Sequence, residues 1–138
     1  MVGVLLITHG NIGAALLAGA SHVLGAAQVN VRALPVQPGD NAASLLPQAR
    51  EAVAAVDGGD GVLVFCDIYG ATPSNLAACL IRPGSVEAVA GVNLPMLVRA
   101  LAYRALPLGQ VLARTIEAGI AGQVNIKEDA CYAAAGGN

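Results

Sequence analysis

The tripeptide Thr8-His9-Gly10 closes an apolar run over residues 2–7, placing an imidazole and a glycine where a buried strand would end. Open α/β sheets bind ligands in the crevice beyond the carboxyl ends of their strands, so an imidazole there is positioned to act as a nucleophile. A second apolar run, residues 62–66, leads into Asp67-Ile68-Tyr69-Gly70-Ala71-Thr72-Pro73-Ser74-Asn75 and brings a carboxylate to the matching edge of a later strand. An aspartate beside an imidazole selects its tautomer and fixes the ring, leaving the opposite nitrogen free to attack. The turn Gly70-Ala71-Thr72-Pro73 runs into a helix start and offers backbone N–H groups, a hydroxyl and the positive end of a dipole to an anion. Gly10 and Gly13 let the backbone come close to a ligand in the same way after the first strand. Carboxylate, histidine and anion cradle together describe a phosphoryl-accepting site.

Taken singly, His9 reads as a buried histidine with satisfied hydrogen bonds and Asp67 as a turn-starting residue; the combination argues for a site. Other chemistries fit less well. Gly10-Asn11-Ile12-Gly13 lacks the glycines of a dinucleotide fingerprint or a P-loop, and Lys127 is the only lysine. His22 falls off the apolar face of its helix and is expected to be solvated, and Lys127, Glu128 and Asp129 form an ordinary exposed cluster. No His, Cys and carboxylate grouping has metal-ligand spacing, and Ser74 lacks a G-x-S-x-G elbow, so neither a metal, a cofactor nor serine chemistry is expected.

The rest of the chain supplies the scaffold for these residues. An apolar fraction of 56% against 12% charged excludes general disorder, and 138 residues suffice for one domain with its own core. Residues 129–138 are expected to be a flexible tail, fraying from Ala133 to Asn138. A net charge of −2 with seven scattered basic residues leaves no footprint for nucleic acid. Cys66, Cys79 and Cys131 are odd in number and lack C-x-x-C spacing, which reads as reduced thiols and a cytoplasmic setting. Neither a signal peptide nor a membrane span fits the apolar segments.

Apolar runs alternate with stretches of helical period, the pattern of a parallel sheet covered by helices. Residues 2–8 make a first strand, and Ile12, Leu16, Ala20 and Val23 mark one face of the helix after it. Residues 29–36 make a second strand. Asp40 or Ser44 then caps a helix, with Pro47 favouring Ser44, and Ala49, Ala52, Val53 and Val56 give its stripe. Residues 62–66 are a third strand, followed by a helix from the Thr72 cap through Ile81. A fourth strand spans residues 86–92, and two helices follow over residues 95–104 and 108–121, the second stopped by Gly122. Residues 123–127 read as a last strand.

Four ordered motifs carry a resemblance: Thr8-His9-Gly10, Pro38-Gly39-Asp40-Asn41-Ala42, the segment from Asp67 to Asn75, and Gly91-Val92-Asn93-Leu94-Pro95-Met96-Leu97. Over residues 2–127 the chain resembles the enzyme IIA domain of the mannose family of the bacterial phosphoenolpyruvate-dependent sugar phosphotransferase system. The resemblance implies that His9 is phosphorylated by the phosphocarrier HPr, that Asp67 holds it, and that Thr72 sits by the phosphoryl group with Gly10, Gly70 and Ala71. Family members often carry a second glycine where this chain has Ala71, which requires a negative φ there. Many also continue into a IIB domain. Here a separate IIB protein is the expected acceptor, and contact with the membrane is only indirect, through the IIC/IID permease.

The expected fold is a doubly wound α/β domain with strand order 2-1-3-4, which sets His9 and Asp67 on opposite lips of one crevice. The resemblance further implies a homodimer in which an antiparallel C-terminal strand, residues 124–127, is exchanged between subunits. A phospho-sensor without transport and a small histidine phosphatase are the alternative functions. The related dihydroxyacetone-kinase phosphodonor subunit lacks a turn like that from Gly70 to Asn75.

Overall fold

The computed structural model describes residues 1–129, 131 and 136. Four strands, β1 (Gly3–His9), β2 (Val31–Val36), β3 (Val62–Cys66) and β4 (Val86–Ala90), form one parallel sheet in the order β2-β1-β3-β4. Helices α1 (Ile12–Leu24), α2 (Ala42–Val56), α3 (Thr72–Ala78), α4 (Leu94–Ala102) and α5 (Leu108–Ala121) cover both of its faces. The α/β class and the strand order are therefore as expected.

Strand side chains alternate between faces with a period of two. Leu5 and Ile7 of β1 join Val62, Val64 and Cys66 of β3 in one core under α2 and α3. Val4 and Leu6 join Leu63 and Phe65 in the other, under α1, α4 and α5. Because both faces are covered, β1 and β3 read as unbroken apolar runs. The same parity sends His9, two residues beyond Ile7, toward the α2–α3 side.

Several boundaries differ from those read in the sequence. Strand β2 starts at Val31, two residues later than expected, because Asn30 turns the chain at φ +52°, outside the extended region; the carbonyls of Val29 and Asn30 accept from the Arg104 guanidinium at 2.7 and 3.0 Å. Arg104 Nε also donates to the Val2 carbonyl at 2.9 Å, so this buried side chain ties the start of β1 to the approach to β2. Helix α2 is capped by Asn41, in place of Asp40 or Ser44: its side chain accepts from Ser44 N at 2.9 Å, and Ser44 Oγ donates back to the Asn41 carbonyl. Pro47 consequently lies inside the helix, past its first turn. The donor it denies is the one Ala43 would have used, and both residues lie on the exposed side of the helix.

Helix α3 is capped by Ala71, with Thr72 as its first residue, and ends at Ala78 instead of running through Ile81. Beyond it the bonds tighten to the i→i−3 pattern, Cys79 to Leu76, Leu80 to Ala77 and Ile81 to Ala78. Strand β4 ends at Ala90 because Gly91 turns the chain at φ +83°. Helix α4 begins at Leu94 and ends at Ala102, with Asn93 accepting from Met96 N as its cap. On the expected face of α1, Ala20 is buried and Leu16 packs on the core, while Ile12 and Val23 are exposed and Gly13 is buried in their place.

Residues 123–127 form no strand within the chain. Asn125 Oδ1 accepts from Lys127 N and helps close a 3-10 turn over Ile126–Glu128. The fraying expected for the last residues lies, apart from Gly136, outside the described residues. No helix among the described residues is long and apolar enough to cross a membrane.

Candidate active site

Strands β1 and β3 are neighbours, with Ile7 level with Cys66, so the residues that follow them emerge side by side. His9 ends β1 and Asp67 follows β3. His9 Nδ1 lies 2.8 Å from Asp67 Oδ2, and the same oxygen accepts from the His9 backbone N–H at 2.9 Å. Asp67 Oδ1 accepts from Ile68 N at 3.0 Å. A carboxylate can only accept, so Nδ1 carries a ring proton, and in the neutral imidazole Nε2 is the nitrogen that keeps its lone pair. The His9 side chain is 49% exposed, which leaves that nitrogen reachable.

Burial is the largest single influence on the Asp67 carboxyl and pushes its pKa up. The bonds from the His9 amide, the His9 ring and the Ile68 amide, with the charge of His9, together outweigh it and hold the pKa below 3.8. Asp67 therefore stays ionised at neutral pH. Its contribution to stability is complete above the unfolded value and is lost as pH falls through the lower folded one. Burial, and then the charge of Asp67, pushes the neighbouring Cys66 thiol up to about 12. Cys66 stays a thiol and donates to the Pro73 carbonyl at 3.4 Å, tying β3 to the start of α3.

A cavity of about 600 Å³ opens in front of the imidazole, walled by Gly10 and Val36, the loop from Gln37 to Asp40, and Thr72. Thr72, half-buried, is the first residue of α3, where a backbone N–H has no intrahelical acceptor. A larger groove of about 730 Å³, between Arg50 and Arg82, contains none of these residues.

The two site glycines act otherwise than as anion donors. Gly10 N donates to the Val36 carbonyl at 2.9 Å, and Gly70 N donates to Ser74 Oγ at 2.9 Å, so both amides are already engaged. Their φ values of +49° and +88° instead turn the chain sharply after β1 and before α3, which glycine does without a steric penalty. Ala71 has φ −119°, a conformation open to any L-residue, which is why alanine is accepted there. His22 is exposed on α1 and takes no part. No grouping of His, Cys, Asp and Glu that could hold a metal occurs among the described residues.

A family model described as the PTS system fructose IIA component, EIIA-man, matches residues 3–117. The chain belongs to this family. It is 36% identical over 104 residues to the PTS system mannose-specific EIIAB component of Escherichia coli K12, covering 75% of this chain and 32% of that protein. It is 31% identical over 105 residues to the PTS system fructose-specific EIIA component of Bacillus subtilis, covering 75% of this chain and 71% of that one. The chain thus spans about a third of the mannose-specific relative's length. Among solved structures, phosphotransferase system component EIIA from Streptococcus agalactiae superposes with a TM-score of 0.82 at 21% identity, covering 94% of this chain and 100% of that one, which establishes the shared fold.

Within this IIA fold, two hydroxyls of the motifs, to which no role was assigned, hold the site's turns. Thr8 Oγ1, buried, accepts from Gly13 N at 2.8 Å and so anchors the first turn of α1 to the end of β1. Ser74 Oγ accepts from Gly70 N and donates to the Ala71 carbonyl at 3.0 Å, closing the loop that delivers Thr72. Both carried a signal: Thr8 lies within the motif, and Ser74 sits three residues after the Ala71 cap, where a side chain can reach back.

Proposed function

We propose that this chain is a phosphoryl relay of the sugar phosphotransferase system, taking a phosphoryl group from phospho-HPr on His9 Nε2 and passing it to a IIB component during sugar uptake. The observation that carries this reading is the His9–Asp67 pair, which leaves Nε2 unprotonated and facing a cavity bounded by Thr72. Nε2 attacks phosphorus in line. Its N–P bond forms as the donor's N–P bond breaks, and the donor imidazole leaves with that electron pair. The Nδ1 proton stays between His9 and Asp67, whose charge offsets the imidazolium character of the phosphorylated ring. The Thr72 hydroxyl and backbone N–H are the candidate donors to the phosphoryl oxygens, acting as fixed dipoles.

The relay is tested by mixing the phosphorylated protein with purified IIB. Transfer of label to IIB within a single turnover is the expected result. Retention of label would favour a phospho-sensor, and repeated release of inorganic phosphate a phosphatase.

We also propose that the protein pairs as a homodimer through residues 124–127. Strand β4 is the last of the sheet, beside a shallow groove lined by Ala88, Ala90 and Ile81, and Val124 and Ile126 are 60% and 72% exposed. An unpaired edge and an exposed apolar segment are complementary. Light scattering at micromolar concentration should give the dimer mass, and truncation before Gln123 should shift it toward the monomer. A monomeric full-length protein would contradict the pairing.

A further inference from the structure

The cavity in front of His9 is lined by no lysine or arginine and by one carboxylate, that of Asp40. Asp40, half-buried in its wall, is held by its own turn: Oδ2 accepts from Gln37 N at 2.8 Å, and its backbone N–H donates to the Gln37 carbonyl at 3.0 Å. No lysine or arginine neutralises it among the described residues. Several basic side chains are committed elsewhere, Arg104 to backbone carbonyls and Arg99 and Arg114 over the Tyr103 ring. A phosphoryl group arriving at Nε2 would bring close to two negative charges into a space that Asp40 already faces.

Resting on the relay reading, we propose that Asp40 sets the phosphoryl-transfer potential of His9, its charge disfavouring the phosphorylated ring and so driving the group onward. The two carboxylates then have opposite effects. Asp67 touches the ring nitrogen that becomes positive, and stabilises the product. Asp40 shares the cavity with the phosphoryl oxygens, and destabilises it. Across a water-filled cavity the repulsion between a unit charge and a dianion is on the order of a five-fold change in equilibrium constant. Such an effect tunes the transfer without blocking it.

The test uses Asp40→Asn, which removes the charge but keeps an oxygen to accept from Gln37 N. The quantity measured is the equilibrium constant for phosphoryl exchange between phospho-HPr and the full chain, read from the labelled fraction at varied HPr ratios. The variant should favour the phosphorylated form by about five-fold, with the difference shrinking as salt screens the charge. Raising salt on the unmodified protein should shift its own equilibrium the same way, and Asp40→Glu should stay near the original value. A residue that only shapes its turn or docks HPr changes forward and reverse rates alike, so an unchanged equilibrium constant in Asp40→Asn would overturn the proposal while leaving the relay intact. Failure of the unmodified protein to take label at all would overturn the relay and this inference with it.

Discussion

Incubation with phosphoenolpyruvate, enzyme I and HPr is expected to place one acid-labile phosphoryl group on each chain, and His9→Ala to reduce that label to background. The expected loss is complete because nothing else at the site is equipped to replace the imidazole. Cys66 is a buried thiol whose pKa is pushed up to about 12, and neither Thr72 nor Ser74 hydrogen-bonds a histidine or a carboxylate. The only other histidine, His22, is exposed on α1 and away from the crevice, so His22→Ala should label normally. Intact mass before and after acid treatment reads both the stoichiometry and the N–P linkage. Label persisting in His9→Ala would rule out the assignment.

Asp67→Ala should slow single-turnover transfer from phospho-HPr by roughly 10²-fold with the fold retained, because a nucleophile displaced by about 1 Å loses that much. The carboxylate on Nδ1 fixes the ring and selects the tautomer with Nε2 unprotonated. The same oxygen, Oδ2, binds both the ring and the His9 amide, so its loss frees side chain and main chain together. Asp67→Asn can still accept through its amide oxygen and should fall between Asp67→Ala and the unmodified protein. A thermal melt in parallel separates misplacement from unfolding, and an unchanged rate in Asp67→Ala would reduce the aspartate to a turn residue.

Much of this site was legible in the sequence because β1 and β3 are buried on both faces and therefore uninterrupted, so the residue at which each strand stops, and the polar segment beyond it, stand out. Once the two strands are neighbours, their register dictates the His9–Asp67 contact. The features that stayed hidden depended on choices between similar residues or on partners distant in the chain. Asp40, Asn41 and Ser44 can all cap a helix, and Asn41 does so because Asp40 is already closing the turn with Gln37. The left-handed Asn30 just before β2 is held by Arg104, more than seventy positions away. The inner face of α1 combines the small residues Gly13 and Ala20 with Leu16, Leu17 and Leu24, so apolar character alone does not separate these leucines from the exposed Ile12 and Val23. The Gly70 amide looked available to an anion, and one hydroxyl, Ser74, occupies it.

The double hold of Asp67 Oδ2 on His9 also constrains the order of events. A ring tethered to its own backbone cannot swing from one partner toward another, so in a relay the donor and the acceptor must reach Nε2 along the same line of approach. Two proteins cannot occupy that line together. In the proposed relay the donor therefore leaves before the acceptor docks, each turnover becomes a sequence of separate visits, and the phosphorylated ring has to outlast the interval between them.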